Sequence, residues 1–181
     1  MAVTFLTNED EVRILKAMKK AQKKYAYIAT ITVAPDAEGN LPQHVVFSAD
    51  KNGKAFSLTD FFIKAYASFV DGNNSTLYMN VNNNGVIANG TVESMSTVCR
   101  CFGIMYRTEQ DGYKRVEYTA SASSDSYYNP QLAVSKSRLI PPMAAACAQE
   151  VNTIDLFTLL GNSKAWSEGS TFELWGVYAD S

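Results

Sequence analysis

Apolar and polar residues alternate with a period of two along most of this chain. The clearest case is near its end, where Phe172 and Leu174 alternate with Glu173 and Trp175. That period predicts a strand with one buried face. A companion run, Ile154–Leu160, places Ile154, Leu156 and Thr158 on one side and Asp155, Phe157 and Leu159 on the other. Apolar residues on both sides predict a strand inside a sandwich or against a partner. The polar link Gly161–Ser170, which contains Trp166, separates the two runs, and together they read as a closing hairpin.

The chain begins differently. Val3, Phe5 and Leu6 form a short apolar arm suited to docking on a neighbour. Thr7 or Asn8 is positioned to cap a helix, and Glu9, Asp10 and Glu11 fill its first turn. Lys19, Lys20, Lys23 and Lys24 complement the macrodipole at the other end. Ile14, Met18, Ala21 and Tyr25, with Leu15 and Val12 alongside, make a narrow apolar seam. Isolated helices of ~12–15 residues are marginal in water. The seam therefore either lies on the protein's own body or packs against symmetry mates or another partner.

From Tyr25 onward the pattern is strand-like. Tyr25–Val33 alternates, and a turn-rich stretch around Pro35, Asp36, Gly39 and Asn40 follows. Pro42–Ala49 predicts a second strand. Asn52-Gly53 is a strong hairpin signal. In Phe56–Val70, Asp60 marks a bend or bulge, after which Ile63, Ala65, Ala67 and Phe69 face inward. Leu77, Met79 and Val81 alternate with Thr76, Tyr78 and Asn80 in the cleanest amphipathic strand. Glu93–Arg107 reads as one strand, and Asp111-Gly112 turns it into Tyr113–Ala122. No strand pattern holds through Ser121–Gln131. Pro141-Pro142 ends regular pairing. The conformation of 121–150 stays open, Met143–Ala148 fitting a strand or a short helix. About eight strands with turn signals and no alternating helices predict a mainly β protein, an antiparallel jelly-roll-like sandwich over 25–181 with an N-terminal α-helical arm over 1–24.

A chain of 181 residues suffices for one well-cored domain. A net charge of -2 offers no field for nucleic acid or an acidic membrane. No apolar run approaches the ~20 residues that cross a bilayer. The acidic start MAVTFLTNEDE lacks the basic and apolar segments of a secretory signal, so synthesis and folding in a cytoplasm are expected. The three cysteines agree, since a disulfide framework uses an even number. Ten tyrosines fit either partner-facing surfaces or plain strand propensity.

Catalytic patterns are weak. His44 is the sole histidine, and a lone histidine on a strand reads as a surface or satisfied residue. Cys99 and Cys101 leave only Cys147 and His44 to complete a zinc set, so buried free thiols are the better reading. Asp71 is the only acid in the oxygen-rich run 71–75, too few for a dedicated calcium loop. Glu93, Glu117, Asp155 and Glu173 single out no glycosidase pair. Arg100, Arg107, Lys114 and Arg115 are balanced by Glu109, Asp111 and Glu117, which reads as a solvated charged hairpin. No enzyme activity, cofactor or metal site is expected.

The order Val-Asn-Thr-Ile-Asp-Leu-Phe, Gly-Asn and Gly-Ser-Thr-Phe-Glu-Leu-Trp-Gly-Val resembles the C-terminal hairpin of a group of tailed-bacteriophage virion proteins. Gly169, Ser170, Phe172, Leu174, Trp175, Gly176 and Val177 hold the places of that group's closing strand. FSLTDFFIKAYASFV and STLYMNVNNN also resemble its strands, and the opening MAVTFLTNEDE resembles the first residues of some phage structural proteins. The resemblance implies an antiparallel β-sandwich in a head-decoration, tail or fibre protein, made in a bacterial host and carried in the virion. Expected partners are other capsid or tail proteins and further copies of the chain, three being the favoured number. Phe5, Leu6, Ile14, Leu15 and Met18 are the candidate attachment residues, with Tyr127 and Tyr128 for lateral contacts. The alternative is a carbohydrate-binding or receptor-binding module, in which Trp166 and Trp175 stack on sugar rings.

Overall fold

A computed structural model describes residues 24–70, 75–82, 93–95, 99–109, 113–122, 132–140, 150–158 and 164–179. The expected helix over 8–24 falls outside these residues except at Lys24, as do Phe5, Leu6, Ile14, Leu15, Met18, Tyr127 and Tyr128. The described residues form ten strands, all paired antiparallel: β1 (Ala26–Thr32), β2 (Val45–Phe47), β3 (Leu58–Tyr66), β4 (Ser75–Val81), β5 (Glu93–Met95), β6 (Cys99–Thr108), β7 (Lys114–Ala122), β8 (Leu132–Ile140), β9 (Ile154–Thr158) and β10 (Thr171–Tyr178). They build a six-stranded sheet, β1-β10-β3-β6-β7-β8, and a four-stranded sheet, β2-β9-β4-β5.

The pairings are nested. β1 pairs with β10, β2 with β9, β3 with β6 and β4 with β5, while β10·β3 and β9·β4 join the nested pairs side by side. The hairpin β7–β8 is spliced in after β6 and widens the larger sheet.

One hydrophobic cluster draws on both sheets. Phe61, Ile63, Phe102, Ile104, Phe172 and Leu174 come from the larger sheet, and Val45, Phe47, Leu77, Met79, Ile154 and Leu156 from the smaller. Each set occupies alternate positions of its strands, which is how a period of two sorts side chains to one face. Ile63, Ala65, Ala67 and Phe69 are buried, as their spacing predicts. The alternation breaks at Asp60, where β3 and β10 shift register between Val177 and Tyr178, so the expected irregularity is there.

Several expectations need correction. The runs Ile154–Leu160 and Phe172–Val177 do not pair as a hairpin. β9 lies in the four-stranded sheet between β2 and β4, and β10 lies in the six-stranded sheet between β1 and β3. The outward Phe157 of β9 is covered on that face by the stacked His44 and Tyr78 rings. Asn52-Gly53 makes a tight turn, with Gly53 at φ 78° and Asp50 Oδ1 accepting from the Asn52 and Lys54 amides at 2.8 and 2.9 Å. Yet it links β2 to β3 across the two sheets rather than closing a hairpin. Glu93–Arg107 is likewise split into β5 and β6 of different sheets. A turn signal reports chain reversal and carries no information about which sheet receives the next strand. Residues 132–140 form edge strand β8, which the sequence reading missed.

Candidate functional site

The outer face of the six-stranded sheet carries the most developed surface. Cross-strand register aligns Tyr27 on β1, Trp175 on β10, Phe62 on β3, Met105 on β6 and Glu117 on β7 in one row. These residues point outward because their strand neighbours Ile28, Leu174, Phe61, Ile63, Ile104, Tyr106 and Tyr118 are buried. Trp175 stacks on Phe62 with centroids 5.9 Å apart and planes within 3°. Tyr27 meets Trp175 edge-on at 5.4 Å, and Tyr25 tilts onto Phe62, also at 5.4 Å. Each such contact is worth ~0.5–1.5 kcal/mol beyond area burial. The four rings therefore hold each other as a fixed ledge.

Polar groups border the ledge. Glu173 and Lys64 sit opposite each other in the next row, and Trp175 Nε1 donates to Glu173 Oε2 at 3.5 Å. Lys51 lies 5.7 Å from the Tyr27 ring centroid, within cation–π range. In the same row as Lys64, Gly103 has no side chain, and this leaves a shallow hollow of about 290 Å³. Phe62, Lys64, Met105, Glu117 and Thr119 are among the residues that line it.

Buried polar residues lock one end of this sheet. Asp60 is fully buried and accepts from the Thr108 amide. Lys114 is also buried, donating from Nζ to the Thr59 carbonyl at 2.9 Å and to Thr108 Oγ1 at 2.7 Å. Tyr25 stands near this group. Burial first, and the Asp60 charge second, push its hydroxyl above the usual tyrosine range, with Arg107 opposing them. Nearby, Arg107 bonds Glu109 and Glu117 at 3.1 and 2.9 Å, and Arg115 bonds Glu109 at 2.7 Å. The bonds to both arginines hold the Glu109 carboxyl below its usual range, the Arg115 hydrogen bond contributing most. Lys114 turns inward while these arginines pair with acids, as a charged hairpin would.

The outer face of the four-stranded sheet is smaller. His44 Nδ1 lies 2.9 and 3.0 Å from the two Asp155 oxygens, and its ring stacks on Phe157 at 5.0 Å. Tyr78 stacks on the same Phe157 at 5.8 Å. A Ser-His-Asp arrangement would have its last two members here, but among the described residues no hydroxyl or thiol is hydrogen-bonded to His44. The described residues also include no group of three or more His, Cys, Asp and Glu placed to hold a metal.

The two tryptophans separate. Trp175 belongs to the ledge. Trp166 is fully buried, 4.3 Å from Phe69 and 4.8 Å from Phe172 between ring centroids. It is a core residue and no platform for a sugar. The polar link around it concealed this, because a single Trp among Gly, Asn and Ser shows no period. Tyr25, Tyr27 and Phe62 were missed as site residues. Their signal was present, since Tyr25 and Tyr27 are two residues apart at the start of the β1 alternation, but only cross-strand register brings Phe62 and Trp175 beside them.

No family model, curated protein or solved structure matches the chain.

Proposed function

We propose that this chain is a jelly-roll sandwich that serves as a non-enzymatic structural component of a tailed-phage virion, a head-decoration, tail or fibre protein that docks and oligomerises through its N-terminal arm. The observation that supports the jelly-roll part of the reading is the nested pairing of β1·β10, β2·β9, β3·β6 and β4·β5. A long antiparallel ribbon folded over itself in this way is a jelly roll, an architecture that recurs in viral capsids and lectins. The C-terminal pattern that resembles phage virion proteins has a physical basis here. Phe172 and Leu174 fill the core, Trp175 faces out, and Gly176 makes room for Leu58. Fold alone does not set function, so the virion role rests on that resemblance.

The test is deletion of residues 1–24. The remaining chain is expected to melt cooperatively while failing to enter virions of the phage that encodes it. Normal incorporation of the shortened protein would refute docking through the arm.

A second reading is favoured by one observation. The parallel, stacked Trp175–Phe62 pair beside Glu173 and Lys64 offers the aromatic surface and flanking polar groups that a sugar requires. On that reading the module binds a host glycan. Quenching of tryptophan emission by host polysaccharide, lost in Trp175→Ala, would support it.

A further inference from the structure

We propose that the outer face of the six-stranded sheet, centred on the Tyr25–Phe62–Trp175–Tyr27 ledge, is the surface on which a second copy of this chain seats. This rests on the oligomeric reading above and names the surface for it.

Three observations select a second copy as the occupant. First, size. Six strands ~4.8 Å apart and a β10 of eight residues rising ~3.3 Å each give a face roughly 24 by 26 Å. Side-chain relief brings that close to the ~800 Å² per partner of a standard interface. Second, the face is self-complementary. It offers projecting rings, with Tyr27 37% and Tyr66 61% exposed, and it offers the hollow over Gly103. Its charges are mixed, Lys64 standing with Glu173 and Glu117. A face with both knob and socket and both signs of charge meets itself without leaving a charge unpaired. Third, the chain enters here. Residues 1–23 precede Lys24, and Tyr25, the last member of the seam Ile14, Met18, Ala21 and Tyr25, lies on Phe62. Copies packed on this face would share the surface at which Lys24 and Tyr25 enter the fold.

The energetic centre is the stacked Trp175–Phe62 pair. Buried aromatic anchors carry most of the affinity in interfaces, with charged residues at the rim. Lys64 and Glu173 lie in the row next to the Trp175–Phe62 pair, and Glu117 lies in the pair's own row on β7.

The experiment is light scattering with size exclusion on the full chain and two variants. Wild type is expected at a multiple of 19.9 kDa. Tyr27→Glu with Trp175→Glu is expected at one copy, with circular dichroism and a melting transition like those of wild type. Val46→Glu, on the outer face of the other sheet and 46% exposed there, is expected to keep the wild-type mass. Should the double variant fail to fold, Tyr27→Cys supplies the answer. Peptide mapping after maleimide treatment is expected to show position 27 modified at least tenfold more slowly than Asn52→Cys in the exposed turn. An oligomer that survives in the folded double variant, or equal labelling of both cysteines in an oligomer, overturns this surface and leaves the virion reading standing. A wild-type monomer overturns both the surface and the oligomeric reading. If host polysaccharide also quenches Trp175 in that monomer, the face is a glycan platform instead.

Discussion

Replacing Gly176 by alanine tests the packing of β10 against the start of β3. A Cβ at this position would stand 2.6 Å from Leu58 Cδ1, 2.9 Å from Cδ2 and 3.1 Å from Cγ. Leu58 is fully buried and has little room to swing. Its backbone is held at both polar atoms, its N–H donating to the Val151 carbonyl at 3.0 Å and its carbonyl accepting from the Val151 N–H at 2.8 Å. Gly176→Ala should therefore cost about 1–3 kcal/mol by overpacking. Leu58→Ala alone should cost about 2–5 kcal/mol through lost burial and a cavity. In the double variant the clash disappears and the new methyl occupies part of that cavity. The double variant should therefore be at least ~1 kcal/mol more stable than the sum of the single changes implies, a coupling expected of residues in contact. Urea unfolding of all four proteins, followed by fluorescence of buried Trp166, measures this. Additivity within about 0.5 kcal/mol would refute the contact and the register that creates it.

Other consequences are separately measurable. Trp166→Ala should cost ~3–5 kcal/mol. Trp166→Phe should cost much less in the same urea assay followed by circular dichroism, because Trp166 Nε1 is buried without a partner and phenylalanine removes that donor. Asp60→Ala strips the Thr108 amide of its buried acceptor and should lower stability by about 1–3 kcal/mol, while Asp60→Asn, which keeps an acceptor, should lose less. The raised Tyr25 hydroxyl favours the neutral form in the folded state. Its contribution is therefore complete below the ordinary tyrosine value of 10.0 and is lost as pH rises above it toward the folded value. Tyr25→Phe should flatten the fall in melting temperature above pH 10.

The period of two was enough to predict a mainly β, antiparallel protein, and it placed Ile63, Ala65, Leu77, Met79, Phe172 and Leu174 inward, where they lie. It was silent on sheet membership. Strands β9 and β10 are sequence neighbours separated by a turn-rich link, the local signature of a hairpin, yet they belong to different sheets. Nested pairing places β1 with β10 and β2 with β9, contacts across most of the chain that no local pattern encodes. Strand β8 went unread because Lys136 and Arg138 interrupt the apolar alternation and Pro141 follows at once. Charged residues and a nearby proline suit a sheet edge, the place β8 takes. The ledge was half legible. Trp175 stood out as an aromatic on a polar strand face, but Phe62 looked like one more apolar residue in an apolar run until register set it beside Trp175.

The two tryptophans make the association of copies directly measurable. Trp166 is fully buried within a single chain, whereas the half-buried Trp175 would be closed only if, as proposed, another copy covers the ledge. Acrylamide quenching of the native full chain is therefore predicted to leave both emissions nearly untouched, and to quench one of the two in the Tyr27→Glu variant. Ready quenching of about half the wild-type emission, with Trp166→Phe removing only the protected half, would contradict the account.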